Sequence, residues 1–347
     1  MRDQHDIASS FLSAGTTWIE PIGTEFPVVR LPFLTTSSLT GWMGDFAGRF
    51  DAAVLHVSPY GYQKRATPFW LASAWNQISR SKDRPVLMAM FHELYASGPI
   101  TTSTFWLQPF QKVILRTIAR ASDVVRTNRQ PYAEWLKGIS GLSRPDVTVM
   151  PVFSNFGEPQ NLPPLRQRPE SMILFSSGIH GGGTPSEAVS RATKLCVRFG
   201  LKTLHIIGGP KPELAEVDGV CLRHQAFVPT AEASDLFLQC RMAYTGYHPL
   251  YFGKSTIMAA FAAHGLAVIT RGQQALLPDG LMDGREVLHE DRLDSRALPD
   301  LAELEVMADR LHQWYGEHDL AHNAASYAKE LEQSLAARGK KSSSLEA

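Results

Sequence analysis

The tripeptide Gly253-Lys254-Ser255 is a combination of residues that can bind phosphate. A P-loop needs one more glycine, five residues before Gly253, so that successive backbone N–H groups curl around the β-phosphate. That position is His248, which argues against the phosphate loop of an ATPase. An apolar helix that begins near Lys254 would still offer free N–H groups and a partial positive charge. The sequence therefore predicts another kind of phosphate site here.

Further polar residues follow apolar runs that have the character of strands. Ligands bind at the carboxyl ends of strands in open parallel sheets, so these residues are candidates for a site. A histidine there can donate hydrogen bonds or exchange protons near neutral pH, and a glycine turn between a strand and a helix suits phosphate. The alternatives are a flexible glycine turn, a solvated loop and a loop histidine with no chemical task. The candidates are Tyr60, Tyr62, Lys64, Arg65, His92 and Glu93 in the first half, and Gly178, His180, Gly181 and Gly182 in the second.

One aromatic cluster, Phe105, Trp106 and Phe110, lies beside Lys112, Arg116 and Arg120. No basic groove accompanies it, so the core or a surface dock is favoured over a platform for stacking nucleic-acid bases. A weakly amphipathic helix in peripheral contact with a membrane is the alternative.

Composition bounds the class of protein. The chain of 347 residues is long enough for two domains, and its 34 basic and 34 acidic residues give zero net charge. No nucleic-acid partner is therefore expected. The three cysteines are widely spaced, which favours neither a zinc site nor a disulfide framework. No apolar stretch is long enough to span a bilayer, so we expect a cytoplasmic protein, in which any membrane association is peripheral.

The order of elements predicts an α/β fold. Strands alternate with helices, and each strand is a nearly continuous apolar run, which is typical of parallel sheets covered on both faces. The segment "DIASSFLSAG" at 6–15 is predicted as a helix. A proline-rich, aperiodic stretch then separates two halves, and two sheets facing each other would enclose a ligand in a cleft. We predict a Rossmann-like domain over 1–157, a linker over 158–171, a second Rossmann-like domain over 172–300, helices over 301–335 that cross back to the first domain, and a polar tail over 336–347.

Four segments resemble one known family: "SPYGYQKRATPFWLASA", "MAMFHELYASGP", "PVFSNFGEP" and "FGKSTIMAAFAAHGLAVITR". They are similar, in the same order, to bacterial sugar-nucleotide glycosyltransferases of the family 4 type, which have the two-domain GT-B fold. The resemblance is closest to members encoded with polysaccharide clusters. It implies transfer of a hexose, with retention, from a nucleoside diphosphate sugar to a polysaccharide or lipid-linked acceptor. It implies no metal, since the chain has no Asp-x-Asp element, and it leaves UDP and GDP unresolved.

The resemblance also assigns roles to residues. It implies that His92 approaches the donor sugar and that the first domain holds most of the acceptor, with Tyr60, Tyr62, Lys64, Arg65 and Glu93 as the substrate-binding residues. It places the glycine turn from Gly178 to Gly183 in the loop after the first strand of the second domain. Phe227 and Val228 correspond to the backbone that meets the base. Gly253, Lys254, Ser255 and Thr256 correspond to the helix start under the diphosphate.

The chain departs from the family at three places. The two glutamates of the E-x7-E pattern are replaced by Phe252 and Ala260. The basic pair that neutralises the diphosphate is absent from "SSGIHGGGTPSE", which leaves Lys254 and His180 as substitutes. The first strand of the first domain is also expected to be missing. The missing glutamates keep open a catalytically silent relative that binds a sugar nucleotide or a partner transferase. A GT-B epimerase or phosphorylase is a further alternative, since the fold hosts several chemistries.

Overall fold

The computed structural model describes residues 5–14, 26–45, 48–96, 98–140, 147–176, 183–272, 276–277 and 279–343. The chain divides into two compact units, one formed by Met1–Met150 with Ala324–Ala347 and the other by Pro151–Asn323. Both units contain parallel sheets with helices, so the α/β prediction is confirmed. The finer division given above, with a linker over 158–171, stays a prediction.

The first unit is built around a parallel sheet of four strands in the order β3 (Ala52–Val57), β4 (Val86–Phe91), β5 (Val124–Thr127) and β6 (Thr148–Val149). All six residues of β4, "VLMAMF", are buried, which explains why this strand is apolar on both faces. The elements before the boundary are β1 (Phe11–Ser13), β2 (Val28–Arg30), α1 (Thr36–Asp45), β3 (Ala52–Val57), α2 (Pro59–Tyr62), α3 (Phe69–Ser79), β4 (Val86–Phe91), α4 (Ser103–Ala121), β5 (Val124–Thr127), α5 (Gln130–Ser140) and β6 (Thr148–Val149).

The helix predicted over 6–15 is wrong, because this segment contains strand β1. Residues Phe11–Ser13 pair in parallel with Val28–Arg30, apart from the four-stranded sheet. The serines of the segment compete with a helix for backbone hydrogen bonds, whereas pairing with β2 satisfies the backbone. Leu12, in strand β1, packs against the apolar core of the first unit.

The second unit has one sheet in the order β13-β12-β11-β7-β8-β10-β9, and only β9, among the described strands, runs antiparallel to its neighbour. The chain proceeds from β7 outward through β8 to β10, then returns to the other side of β7 and continues through β11 to β13. This is the doubly wound order, which reverses between β7 and β11. The elements are β7 (Ser171–Phe175), α6 (Pro185–Arg198), β8 (Thr203–Ile207), β9 (Glu216–Val217), β10 (Val220–Gln225), α7 (Thr230–Leu238), β11 (Met242–Thr245), α8 (Thr256–Ala263), β12 (Ala267–Thr270), β13 (Val287–His289) and α9 (Leu301–Gly316).

The last helix, α10 (Leu320–Ser343), returns the chain to the first unit. Arg126 on β5 is 1% exposed and forms an ion pair with Glu330 of α10 at 2.6 Å. The Arg126 guanidinium also lies 3.9 Å from the centre of the Tyr327 ring. A buried charge is tolerated only when it is paired, so α10 supplies a necessary part of this core.

A buried arginine holds the segment before β7 in place. Arg168 is 3% exposed and donates to the carbonyl oxygens of Pro163 at 2.8 Å, Cys240 at 3.1 Å and His264 at 3.0 Å. The last two carbonyls follow α7 and α8, where a cation is favoured by the helix dipole. Burial lowers the pKa of Arg168 to about 10, so the guanidinium stays charged near neutral pH.

His264, beside Arg168, is held in its neutral form. The Nδ1 atom lies 2.7 Å from the Ala260 carbonyl oxygen, which can only accept, so Nδ1 carries the proton. The Nε2 atom then accepts from the Ser234 hydroxyl at 2.7 Å. His264 is fully buried, and this burial lowers its pKa to about 4.

This histidine is expected to make the second unit less stable in mild acid. The unfolded chain takes up a proton at His264 as the pH falls through about 6.5, whereas the folded protein does not. The contribution of neutral His264 to the free energy of unfolding is therefore complete above this pH. It declines as the pH falls further, until the pKa of His264 in the folded protein, about 4, is reached. Between about pH 7 and about pH 5, the wild type should lose about 2 kcal/mol more than His264→Gln. Urea unfolding at both pH values measures this difference.

The control is His322→Gln, because the His322 side chain is 62% exposed. It should follow the wild type across the same pH range. Equal losses of unfolding free energy in wild type and His264→Gln would contradict the prediction.

Candidate functional site

The sheet of the second unit has a topological switch point between β7 and β11. Ligands of doubly wound sheets bind outside the carboxyl ends of the two strands at such a point. Ser176 directly follows β7; it is fully buried, and its hydroxyl has no hydrogen-bond partner within the described part of the chain. A Cβ at Gly209, which follows β8 with φ +68°, would lie 2.5 Å from the Ser176 Oγ. Gly209 therefore lets the chain approach this edge closely.

Four of the residues predicted after β7 lie outside the described residues: Gly178, His180, Gly181 and Gly182. The chain is described again from Gly183, just before α6. Thr184 caps this helix by accepting from the Glu187 N–H at 3.2 Å, and the Glu187 carboxylate accepts from the Thr184 N–H at 2.7 Å. This capping box satisfies two N–H groups at the start of α6 internally.

The loop after β11 holds the Gly253–Thr256 residues. A 3₁₀ helix spans Pro249–Lys254, and α8 begins only at Thr256. Ser255 is the N-cap, a position that serine favours, and its Oγ accepts from the Met258 N–H at 3.1 Å. The predicted helix therefore exists, but it begins two residues after Lys254.

Two groups in this loop are already engaged within the protein. The Gly253 N–H donates to the Asp279 carboxylate at 2.9 Å, and the Ser255 hydroxyl caps α8. The Lys254 ammonium lies 5.4 Å from the centre of the Tyr251 ring, and Lys254 and Thr256 are partly exposed. Of the four residues predicted here, Lys254 and Thr256 are thus the partly exposed ones, whereas Gly253 and Ser255 are buried.

Arg271 is a cation at this edge that sequence reasoning missed. It directly follows β12, and its Nη1 would lie 3.4 Å from a Cβ at Gly183, so the guanidinium is beside the start of α6. Its Nε lies 4.0 Å from the Oε1 of Glu290, whose side chain is 8% exposed. Arg191 forms an ion pair with the same carboxylate, and Glu290 raises the pKa of Arg191. The signal in the sequence was a cation directly after an apolar strand.

The loops after β11 and β12 adjoin each other. The Thr270 hydroxyl donates to the Tyr247 carbonyl oxygen at 3.5 Å, and a Cβ at Gly272 would lie 3.3 Å from the Pro249 side chain. The loop of Lys254 and the strand end of Arg271 therefore belong to one edge of the sheet.

Two residues predicted to contact the nucleotide base, Phe227 and Val228, follow β10 at the same edge of the sheet. Phe227 is 81% exposed, whereas Val228 is buried in the apolar core of the second unit. An exposed aromatic ring can stack on a flat heterocycle, so Phe227 has a side chain, as well as a backbone, to offer.

In the first unit the predicted residues meet at the carboxyl ends of β3 and β4, which are adjacent strands. The His92 N–H donates to the Val57 carbonyl oxygen at 3.1 Å, and the Ser58 hydroxyl donates to the Glu93 carboxylate at 3.1 Å. The remaining predicted residues lie just after β3: Tyr60 and Tyr62 in α2, with Lys64 and Arg65 exposed after it. Burial raises the pKa of Tyr62 to about 12, so its hydroxyl stays protonated.

Two further residues at this edge were missed. The His56 Nδ1 and the His92 Nε2 are 2.9 Å apart, so one ring must donate to the other. Asn128 follows β5, is 1% exposed, and its amide has no hydrogen-bond partner among the described residues. A histidine near the end of the apolar run "AAVLHV" was a readable signal, whereas the burial of Asn128 was not.

The described residues contain no group of three or more His, Cys, Asp or Glu side chains arranged to hold a metal ion. None of the helices in these same ranges is long and apolar enough to cross a membrane.

No protein-family model and no curated protein matches the chain. Among solved structures, it is similar to an alpha-glucosyltransferase in complex with UDP, with a TM-score of 0.54 and 8% identity over 88% of this chain and 86% of that one. Sucrose-phosphate synthase from Thermosynechococcus elongatus matches with a TM-score of 0.56 and 12% identity, over 91% and 82% of the two chains. TarM matches with a TM-score of 0.57 and 9% identity, over 85% of this chain and 58% of TarM. Such low identities establish the fold alone: the chain has the fold of GT-B glycosyltransferases.

Proposed function

We propose that this chain is a glycosyltransferase that binds a nucleoside diphosphate sugar at the carboxyl edge of the second unit's sheet. The hexose of this donor is transferred, with retention of configuration at its anomeric carbon, to a carbohydrate or lipid-linked acceptor in polysaccharide synthesis. Support comes from one observation above all: a doubly wound sheet whose switch-point edge holds Lys254 and Arg271, in a chain with a glycosyltransferase fold. UDP and GDP remain equal candidates for the nucleotide.

The cations explain how this edge would assist the reaction. The bond between the anomeric carbon and the diphosphate breaks, and a bond to the acceptor oxygen forms. Negative charge gathers on the leaving diphosphate, and fixed donors that meet it stabilise the transition state. The Arg271 Nε lies 4.0 Å from the Glu290 carboxylate, a contact that favours a guanidinium position near this edge before the ligand arrives. Lys254 supplies a second cation, an ammonium, from the neighbouring loop.

The other roles follow the family resemblance. Phe227 and Val228 would hold the base, and Gly178, His180, Gly181 and Gly182 would line the diphosphate. His92 would contact the donor sugar, with its ring oriented by the hydrogen bond to His56. The acceptor would bind near Tyr60, Tyr62, Lys64, Arg65 and Glu93. No metal and no nucleic acid takes part in this proposal.

A second candidate is a catalytically silent protein that binds a sugar nucleotide or a partner transferase. The family has glutamates at the positions of Phe252 and Ala260. Both residues are buried in the apolar core of the second unit, so neither position offers a carboxylate for the ribose. The Gly253 N–H is also occupied by Asp279. Both features lower the number of groups that could act on the donor.

The proposal is tested by measuring binding and turnover together. Thermal unfolding is followed with UDP, GDP and a panel of their sugars, and released nucleoside diphosphate is quantified by chromatography. A ligand at about a hundredfold its Kd should stabilise the protein by about 2.7 kcal/mol, and slow release without acceptor should accompany it. Stabilisation without release, with and without acceptors, identifies the silent relative, and interconversion of two donors identifies an epimerase. No stabilisation by any nucleotide or sugar nucleotide would overturn the proposal.

A further inference from the structure

A group of large apolar side chains is exposed on α4 in the first unit. Trp106, Phe110 and Val113 are 63%, 51% and 55% exposed. They are spaced by four and three positions, so they lie on one face of the helix. Phe69, at the start of α3, is 49% exposed and meets the Phe110 ring edge-on at 6.2 Å between centres. The apolar surface is therefore continuous across two helices.

Two more exposed residues extend this surface at the start of α4. The Phe105 ring meets the Trp106 ring edge-on at 5.4 Å, and the Trp106 indole N–H donates to the Ile100 carbonyl oxygen at 2.9 Å. We call Phe69, Ile100, Phe105, Trp106, Phe110 and Val113 the apolar patch. Contiguous exposed apolar surface of this kind marks an interaction site, since proteins otherwise bury it.

The charges beside the apolar patch are all positive on α4. The helix sequence "STFWLQPFQKVILRTIARA" contains Lys112, Arg116 and Arg120 and no acidic residue. Arg116 is exposed and lies three positions after Val113, so it continues the face of the patch. The chain as a whole has 34 basic and 34 acidic residues, so this is a local concentration of charge.

Further cations lie near the other side of α4. The Gln111 side chain donates to the Arg65 carbonyl oxygen at 3.1 Å, which places the segment with Lys64 and Arg65 next to the helix. Both side chains are exposed. Basic residues therefore occur on α4 itself and in the segment that adjoins it.

We propose that the apolar patch docks on the surface of an anionic lipid bilayer. Tryptophan and phenylalanine side chains are favoured at the interface between headgroups and acyl chains, and arginine and lysine attract anionic headgroups. Charge complementarity selects this occupant, because α4 presents cations and no carboxylate to it. Such docking goes beyond sugar transfer and would hold whether or not the chain transfers sugar.

The test is co-sedimentation of the full chain with vesicles. We expect binding to vesicles of equal parts phosphatidylglycerol and phosphatidylcholine, weaker binding to phosphatidylcholine alone, and weakening with salt as the charges are screened. The double variant Trp106→Ser, Phe110→Ser should bind at least roughly tenfold more weakly. Arg116→Gln should bind anionic vesicles about fivefold more weakly and lose part of the salt dependence.

The matched control is Leu214→Ser, because Leu214 lies in the second unit and is 63% exposed, like Trp106. It should bind vesicles like the wild type. Unchanged thermal unfolding shows that each variant is folded, and Arg116→Gln provides a reading independent of the aromatic pair. The proposal is overturned if the wild type does not bind anionic vesicles, or if the Trp106 and Phe110 variant binds as the wild type does. Binding of duplex DNA by this surface in place of vesicles, lost in the same variants, would also overturn it.

Discussion

Replacing Arg168 by methionine is expected to lower the free energy of unfolding by about 3 kcal/mol or more. Methionine fills much of the same volume but has no donors. The carbonyl oxygens of Pro163, Cys240 and His264 would then lose the guanidinium that they accept from. A buried carbonyl without a donor costs about 1 to 3 kcal/mol, and these losses fall within one small region of the second unit.

Urea unfolding at neutral pH measures this effect. Arg166→Met is the matched control, since Arg166 is two residues away, its side chain is 68% exposed, and its contact with Glu305 is 3.7 Å long. An exposed ion pair contributes at most about 1 kcal/mol, so this variant should remain close to the wild type. Nearly equal stabilities for Arg168→Met and Arg166→Met would refute the structural role given to Arg168.

If the chain has the proposed transferase activity, replacing Arg271 by glutamine is expected to reduce release of nucleoside diphosphate from the sugar donor by about a hundredfold. The glutamine keeps a donor but removes the positive charge beside the start of α6. Lys254→Ala should cause a loss of similar order, because it removes a second cation from this edge. If these charges act on the leaving group, kcat should fall more than KM rises.

The control is Arg285→Gln, since the Arg285 side chain is 58% exposed. Its ion pair within the described residues is with the neighbouring Glu286. Arg271→Lys keeps a charge and should recover part of the lost turnover, which a merely structural role would not predict. Thermal shifts with the nucleotide separate lost binding from lost catalysis. Wild-type turnover in both Arg271→Gln and Lys254→Ala would remove these cations from the mechanism.

Much of the fold could be predicted because the apolar runs are long and covered on both faces. Strand β4 is buried throughout, and its nearly continuous apolar run indicated a strand of a parallel sheet covered on both faces. Strand β1 was not predictable in the same way, since its three residues become a strand only by pairing with Val28–Arg30. Local propensity is weak over so short a segment, and tertiary pairing decides.

The candidate site was predictable as a set of strand ends but not as a set of contacts. His92 could be proposed from its place after an apolar run, and Lys254 from the Gly253-Lys254-Ser255 tripeptide before an apolar helix. The contact between Gly253 and Asp279 joins residues far apart in the chain, and the position of Arg271 against Glu290 depends on the pairing of β12 with β13. His56 meets His92 only because β3 and β4 are neighbours. Such contacts follow from strand order, which spacing in one sequence does not contain.

The return of α10 to the first unit has a consequence for synthesis on the ribosome. Glu330 and Tyr327, which neutralise and cover Arg126, are translated after the whole of the second unit. Until they emerge, a nascent first unit carries a guanidinium at β5 without its carboxylate. The packing of the first unit is therefore completed only after α10 has been synthesised, whereas the second unit, continuous in sequence, can complete its fold earlier.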